Sequence, residues 1–361
     1  MLKKSLTGFA ALLSLAAVQT ASADALDDAV NAEIKRQNIP GLAIGIEQDG
    51  KITRLSGYGS ANLEWQVPVT PDTLFQTGST GKQFTSLAIL MLQQEGKLRI
   101  DDPISKYLPD APASWADIKL NHLLSHTSGL DDDYSKVDVQ KTMSWDEVRQ
   151  LVYTMPKTRP AGTQWAYCNM AYVMLGLVIE KMTGAPYHAY FTSHIFKPLG
   201  MTTTRDNSEA DIIPGRASGY ERDGGKLGAP LKNQAWVSTT FNHTADGSTY
   251  ITARDFTTYL AAMDGPSPAF APLWAAAKAP VIKVAPDKPA SYGMGWFTVA
   301  VNGTPIEYHT GSWQGFRAYI IHWPKQKTGV AVLVNSDIPE PSALFDKVIA
   351  AAAPGLPIPP N

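Results

Sequence analysis

The strongest constraint on the fold is that strand-forming segments occur at both ends of the chain, with a helix-forming middle between them. Near the start, residues 42–47 and 52–59 predict two strands joined through the turn pair Asp49-Gly50. Near the end, Asn302-Gly303 is the strongest kind of two-residue hairpin signal. The strands predicted in that region are 295–301, 304–309, 316–323 and 329–335.

Helix-forming patterns flank these strands and fill the middle. Four segments carry apolar side chains at helical spacing, namely 24–37, 83–95, 171–183 and 342–353. The two middle segments each stop at a glycine, Gly96 or Gly184, as helices commonly do. The polar stretch 216–232 and the proline-rich stretch 265–289 are expected to be loops.

This arrangement predicts an α/β fold in which one antiparallel sheet is assembled from both termini. Helices flank that sheet, and a mostly helical domain is inserted between its two halves. The expected division is an α/β sheet domain built from 24–75 and 285–361, and a mostly helical domain at 76–284.

The first 23 residues have the pattern of a secretory signal peptide. A basic start is followed by a short apolar run and by the small-residue site Ala21-Ser22-Ala23, so cleavage is predicted after Ala23. The apolar run is too short to cross a bilayer. The prediction is therefore a periplasmic or secreted protein without a membrane anchor.

Composition excludes several classes of function. The formal net charge of -2 gives no electrostatic reason to bind nucleic acid or an anionic membrane. Cys168 is the single cysteine, so neither an intramolecular disulfide nor a cysteine-built metal cluster can form. His122 and His126 are four residues apart, but neither a third ligand nor a zincin glutamate accompanies them. No metal and no cofactor are predicted.

The first chemical motif is Ser79-Thr80-Gly81-Lys82, which opens the first middle helix. Residues three apart on a helix share a face, so the Ser79 hydroxyl and the Lys82 amine can meet. A serine becomes a strong nucleophile only when a base takes its proton, and a lysine can be that base where its surroundings keep it neutral. Taken alone, the pair also fits a helix-capping serine followed by a solvated lysine.

Two further motifs follow in order. Tyr167-Cys168-Asn169 precedes the second middle helix, and it offers a phenol for proton transfer and an amide for holding a substrate. His309-Thr310-Gly311 ends a predicted strand just before Ser312, where the glycine lets a substrate backbone approach closely. A second candidate for the third motif, Lys327-Thr328-Gly329, falls in a predicted turn between strands and is set aside.

The three ordered motifs resemble those of the penicillin-recognising serine hydrolases, which include class C β-lactamases, D-Ala-D-Ala carboxypeptidases, D-aminopeptidases and related esterases. The resemblance covers most of the chain. The other segments of this chain that resemble the family are LLSHTSGL at 123–130, PLGM at 198–201, YGMGW at 292–296 and Gly315-Phe316. Class C β-lactamases have lysine where this chain has His309, and serine where it has Cys168, so efficient β-lactamase activity is less expected.

The resemblance implies a role for each motif residue. Ser79 is expected to attack the carbonyl carbon, with Lys82 and Tyr167 handling its proton; which of the two is the working base is left open. Asn169 is expected to hold the substrate amide. The backbone N–H groups of Ser79 and Ser312 are expected to form the oxyanion hole. The expected substrate-binding set is Asn169, His309, Thr310, Gly311 and Ser312.

Three functions remain open at the level of sequence. The first is an exported serine hydrolase that acts through an acyl-enzyme on a D-amino-acid-type amide or a β-lactam. The second is a carboxylesterase on the same scaffold, and the third is a non-catalytic protein that binds cell-wall peptide. The expected partner is a small-molecule or peptide substrate. The acidic run Asp131-Asp132-Asp133-Tyr134 is interpreted as a solvated loop that would favour a substrate amine if it rimmed the pocket.

Overall fold

The computed structural model describes residues 24–132, 137–208 and 211–360, so the predicted signal peptide lies outside the described residues. The strands are β1 (Gly41–Gln48), β2 (Lys51–Asn62), β3 (Val67–Pro68), β4 (Phe75–Gln76), β5 (Arg205–Asp206), β6 (Tyr220–Arg222), β7 (Leu231–Asn233), β8 (Thr249–Ile251), β9 (Ile282–Lys283), β10 (Ser291–Tyr292), β11 (Phe297–Val301), β12 (Thr304–Trp313), β13 (Phe316–Trp323) and β14 (Thr328–Val334).

The α-helices of the described residues are α1 (Ala25–Gln37), α2 (Lys82–Gln94), α3 (Leu120–Leu124), α4 (Trp145–Tyr153), α5 (Asn169–Thr183), α6 (Tyr187–Phe191), α7 (Ala253–Asp264), α8 (Ala271–Lys278) and α9 (Pro341–Ala352). A 3₁₀ turn at Gly78–Gly81 leads directly into α2. No helix in this part of the chain is long and apolar enough to cross a membrane.

One large antiparallel sheet joins the two ends of the chain. Its strand order is β3-β2-β1-β14-β13-β12-β11-β10-β9. The join is the pairing of β1 with β14, which runs from Leu42 opposite Val334 to Gln48 opposite Thr328. The predicted α/β fold with a sheet built from both termini is therefore confirmed.

Both faces of this sheet are covered, which explains why β13 and β14 are buried along almost their whole length. In β13, Ala318 and Ile320 belong to the core on one face, and Tyr319 and Ile321 belong to the core on the other face. This alternation is the two-residue period of a strand. Helices α1 and α9 pack together against the second face, while α7 packs against β1 and β14 on the first.

The capping and turn signals in the sequence explain several element boundaries. The Asp24 carboxylate accepts the N–H groups of Leu26 and Asp27 at the start of α1. Helix α5 ends at Gly184, whose φ of 70° suits a residue without a side chain. The turn before β14 contains Lys327, so the second Lys-Thr-Gly sequence lies at a hairpin end, as predicted.

Two predicted loops contain regular structure. The stretch 265–289 holds α8 and β9, and 216–232 holds β6 and the first part of β7. Helix α8 buries Leu273, Trp274 and Ala277, so tertiary packing stabilises a helix within a segment rich in proline. Strand β9 belongs to the large sheet although it precedes residue 285. The division at 75 and 285 stays a prediction.

Candidate active site

The cleft lies where the 3₁₀ turn at Gly78–Gly81 packs against the end of β12. It is a cavity of about 330 Å³. The first two predicted motifs reach it through Ser79, Tyr167 and Asn169, and Ser312, which follows the third motif, also lines it. The other lining residues are Gly78, Asp246, Gly247, Ser248 and Trp313.

Close backbone approach holds the two walls of this cleft together. A Cβ atom on Gly78 would lie 2.7 Å from the backbone nitrogen of Ser312, and one on Gly311 would lie 2.0 Å from the Thr77 carbonyl oxygen. Gly78 also has a φ of 49°, a backbone conformation that glycine adopts most easily. Only glycine therefore allows the turn that carries Ser79 to lie this close to β12.

Lys82 lies behind Ser79 and is completely buried. Its Nζ atom is 3.1 Å from Ser79 Oγ, 2.8 Å from Asn169 Oδ1 and 2.8 Å from the Asp246 carbonyl oxygen. Burial lowers the pKa of Lys82 to about 8, although the charges of Asp246 and Asp132 oppose this effect.

A charged Lys82 can donate to all three oxygens, and a neutral Lys82 can keep two of these contacts as donor and accept in the third. The Asn169 oxygen and the Asp246 carbonyl can only accept, so they use the two N–H groups of an uncharged Lys82. The remaining lone pair of Nζ then faces the Ser79 hydroxyl, which can donate to it. The geometry is that of a serine beside a base able to take its proton.

Tyr167 lies on the other side of Lys82, with its ring centre 5.0 Å from Nζ. Burial raises the pKa of its phenol, and the nearby Ser79 hydroxyl opposes that shift. Among the described residues, the Tyr167 hydroxyl has no hydrogen-bond partner of full geometry. A neutral phenol can donate its proton and receive another, which suits a relay better than a standing base.

Asn169 begins α5 and is held at both ends of its side chain. Its oxygen accepts from Lys82, and its Nδ2 and backbone N–H donate to Asp132 Oδ2 at 2.9 and 2.6 Å. Burial raises the pKa of Asp132. The interpretation of this acidic run as solvated is therefore wrong for Asp132; Asp131 pairs with Arg159, and Asp133 and Tyr134 lie outside the described residues.

His309 lies behind the cleft and is buried. Its Nδ1 is 2.6 Å from the Thr310 carbonyl oxygen, so Nδ1 carries the proton, and Nε2 accepts from the Tyr292 hydroxyl at 3.1 Å. Burial lowers the pKa of His309 to about 3. In the part of the chain that the structure describes, neither His309 nor Thr310 nor Gly311 lines the cavity.

Cys168 is fully buried beside the cleft, and burial raises the pKa of its thiol. Its backbone N–H donates to His126 Nδ1 at 3.1 Å, and the His126 ring lies against Tyr167 with centres 4.1 Å apart. His122 instead accepts from the Lys119 backbone N–H. The two histidines are therefore held by separate contacts.

Sequence reasoning missed three contributors to this site. Asp132 was not singled out, because it lies in a run of acidic residues that is typical of a solvated loop. Asp246 lies within a polar stretch, and the contact that matters is made by its backbone carbonyl, which no side-chain pattern reveals. His126 was visible in the sequence, but only the fold places its ring against Tyr167.

The fold and this arrangement define a serine hydrolase. A family model for Beta-lactamase matches residues 26–353, and the chain therefore belongs to the Beta-lactamase family. The resemblance inferred from the three motifs is thereby confirmed.

Individual relatives agree with this family. Protein flp of Staphylococcus aureus (strain MRSA252) is 28% identical over 319 residues, which is 86% of this chain and 62% of flp. The chain thus spans less than two thirds of that relative's length. The putative penicillin-binding protein PbpX of Bacillus subtilis (strain 168) is 32% identical over 197 residues, or 55% of this chain and 49% of PbpX.

Solved structures share the fold. The octameric penicillin-binding protein homologue from Pyrococcus abyssi is 28% identical, with a TM-score of 0.78 over 90% of this chain and 76% of that chain. The D-amino acid amidase from Ochrobactrum anthropi SV3 is 24% identical, with a TM-score of 0.76 over 91% of this chain and 97% of that chain. At that identity, the second likeness shows the fold alone.

Proposed function

We propose that this protein is an exported serine hydrolase that acts through an acyl-enzyme on a D-amino-acid-type amide or a β-lactam. The observation that carries the proposal is the 3.1 Å contact between Ser79 Oγ and the amine of a wholly buried Lys82. A solvated lysine, with a pKa of about 10.5, is almost wholly charged at neutral pH, whereas a pKa of about 8 leaves about one tenth of Lys82 neutral at pH 7. Burial therefore makes a neutral Lys82 amine available as a base, which the Ser-x-x-Lys spacing alone does not ensure.

The proposed reaction starts with proton transfer from Ser79 Oγ to Lys82 Nζ as Oγ attacks the substrate carbonyl carbon. The negative charge that develops on the carbonyl oxygen is bound by the backbone N–H groups of Ser79 and Ser312. The carbon–nitrogen bond then breaks, and the leaving nitrogen takes the proton from Lys82 through the Tyr167 hydroxyl. Water attacks the resulting Ser79 ester, releases the acid and returns the proton to Oγ.

The substrate class is supported by what known proteins of this fold act on. Structures with this fold include a D-amino acid amidase and a D-stereospecific amidohydrolase from a Streptomyces species. Both names describe amide hydrolysis with selectivity for the D configuration. The neutral His309 is consistent with the expectation that β-lactam turnover is slow, because it supplies no fixed positive charge beside Tyr167.

A carboxylesterase is the second candidate, and the state of Asn169 favours it. Both ends of that side chain are already engaged, by Lys82 and Asp132. A substrate amide must displace one of these contacts before Asn169 can hold it, whereas a small ester needs no such contact. Ester turnover that exceeds amide turnover would support this candidate.

Export is proposed from the predicted signal peptide at 1–23. Expression of the full chain in a bacterium, followed by fractionation, should place the mature protein outside the cytoplasm. Its N-terminal residue should then be Asp24. Retention of an unprocessed chain in the cytoplasm would contradict this part of the proposal.

The test of catalysis compares the wild type with Ser79→Ala and with Ser193→Ala, an exposed serine that serves as the control. Each protein is assayed with a D-amino acid amide, a D-Ala-D-Ala peptide, a p-nitrophenyl ester series and a chromogenic cephalosporin. Activity should disappear only in Ser79→Ala, and intact mass after penicillin exposure should show one adduct in the wild type. If the wild type forms no adduct and turns over none of these substrates, a non-catalytic binding protein is the better description.

A further inference from the structure

A cluster of potential metal ligands lies outside the machinery described above. His188 comes from α6, Asp206 from β5 and His243 from the segment before β8. One ligand atom from each of them lies within 4.8 Å of the other two, and all three side chains are partly buried. We propose that this set, called the His188 cluster here, binds one zinc ion with a fourth position open to water or another small ligand.

The spacing of the ligand atoms supports a bound ion better than direct hydrogen bonds. His188 Nε2 is 3.7 Å from Asp206 Oδ2, and His243 Nδ1 is 3.5 Å from the same oxygen. Both distances exceed the usual 2.7–3.2 Å of a nitrogen–oxygen hydrogen bond. Zinc with bonds of about 2.0–2.1 Å separates tetrahedral ligands by about 3.3–3.4 Å, close to the two histidine–Asp206 distances.

The histidine contacts leave room for such an ion. His188 Nδ1 is buried and has no hydrogen-bond partner among the described residues, and His188 Nε2 faces Asp206 Oδ2 at 3.7 Å, too far for a hydrogen bond. His243 Nδ1 also lies 3.2 Å from the Asn207 carbonyl oxygen, to which it can donate when no metal is present. Zinc bound at Nδ1 would take the place of that proton, and the ring would then carry its one N–H proton on Nε2.

A second group of acids and histidine provides an internal comparison. Glu47, Asp264 and His322 also lie close together. There, however, His322 Nε2 is 3.1 Å from Asp264, and its Nδ1 is 2.8 Å from Glu307. Those are hydrogen-bonded ion pairs that satisfy the ring without a metal. The His188 cluster lacks such short contacts to its carboxylate.

The surroundings give the ion access and a role. Asp206 and His243 help to line a cavity of about 410 Å³ that also contains Trp145 and Thr240, so a fourth ligand can enter from it. Asp206 of β5 pairs with Thr249 of β8, and His243 begins the segment that reaches Asp246 and Gly247 in the cleft. Zinc would therefore fasten α6 and β5 to one wall of the active site.

The test measures zinc alone, with no substrate. Wild-type protein is stripped with a chelator, dialysed against Zn²⁺ and analysed for bound metal, alongside His188→Ala, His243→Ala and Asp206→Asn. Asp206→Asn replaces a carboxylate by an amide of the same size, so it still tests zinc binding if an alanine variant fails to fold. His194→Ala, an exposed histidine close to α6, is the matched control.

The wild type and His194→Ala should each retain one zinc ion per chain, and the three cluster variants should lose it. Zinc should also raise the thermal midpoint of the wild type and leave that of Asp206→Asn unchanged. Failure of the wild type to retain zinc would overturn the proposal, as would equal retention by His243→Ala. Penicillin labelling of Ser79 is a separate readout, so either proposal can fail without the other.

Discussion

The lowered pKa of Lys82 makes a quantitative prediction about acylation. If neutral Lys82 takes the Ser79 proton, kcat/KM should rise with pH, with a midpoint near the pKa of about 8. About one tenth of Lys82 is neutral at pH 7 and about nine tenths at pH 9, so kcat/KM should increase about tenfold between them. The sign follows because the protonated amine has no lone pair for the Ser79 hydroxyl.

The assay is kcat/KM for an uncharged p-nitrophenyl ester, with the rate of Ser79→Ala subtracted to remove spontaneous hydrolysis. Asp132→Asn tests the cause of the midpoint, because the charge of Asp132 raises the pKa of Lys82 and its loss should move the midpoint to lower pH. Asp49→Asn is the control, since Asp49 follows the end of β1 farthest from the cleft. A flat profile from pH 7 to 9 would refute the assignment of Lys82 as the base, and an unchanged midpoint in Asp132→Asn would refute the electrostatic explanation.

Three further predictions concern buried groups around the core and the cleft. Tyr292→Phe should lower the free energy of unfolding by about 1–3 kcal/mol, because it leaves the buried His309 Nε2 without a hydrogen-bond donor. Urea denaturation measures this loss, with Tyr153→Phe, at a less buried tyrosine, as the control. A loss no greater than that of the control would contradict the prediction. Burial raises the pKa of Glu47 to about 8, so the folded protein keeps it protonated below that pH, and stability is lost as pH rises from about 4.5 to about 8. Glu47→Gln should remove about 3.5 kcal/mol of that loss between pH 5 and pH 8, measured by urea denaturation at the two pH values, and an identical pH dependence in both proteins would contradict the assignment. Cys168 should resist iodoacetamide in the native protein and react once unfolded, as followed by intact mass; native labelling would show that the thiol is accessible.

The sequence predicted best those elements in which the apolar pattern and the turn or capping residues indicate the same boundaries. Strand β1 is apolar and buried along most of its length, the turn pair Asp49-Gly50 joins it to β2, and both strands form where expected. Helix α5 has an apolar stripe and the stop residue Gly184. Helix α8 was missed because its surroundings are rich in proline, and only its packing through Trp274 reveals why it forms.

The candidate site likewise contains contacts that the sequence predicts and contacts that it does not. Ser79 and Lys82 are adjacent on one helical turn, so their spacing alone predicts that they meet. The contact of Asn169 with Asp132 crosses 37 residues, and no local pattern encodes it. His188, Asp206 and His243 are separated by 18 and 37 residues, so their grouping could not be read from ligand spacing.

The pairing of β1 with β14 also sets the order in which the protein can mature. Ser79 leaves the ribosome 233 residues before Ser312, and the central strand β1 has no β14 to pair with until residue 334 has been made. Contacts of such long sequence separation form late and slowly. A nascent chain therefore carries its nucleophile for most of its synthesis without a catalytic cleft, and hydrolytic activity begins only when the sheet closes.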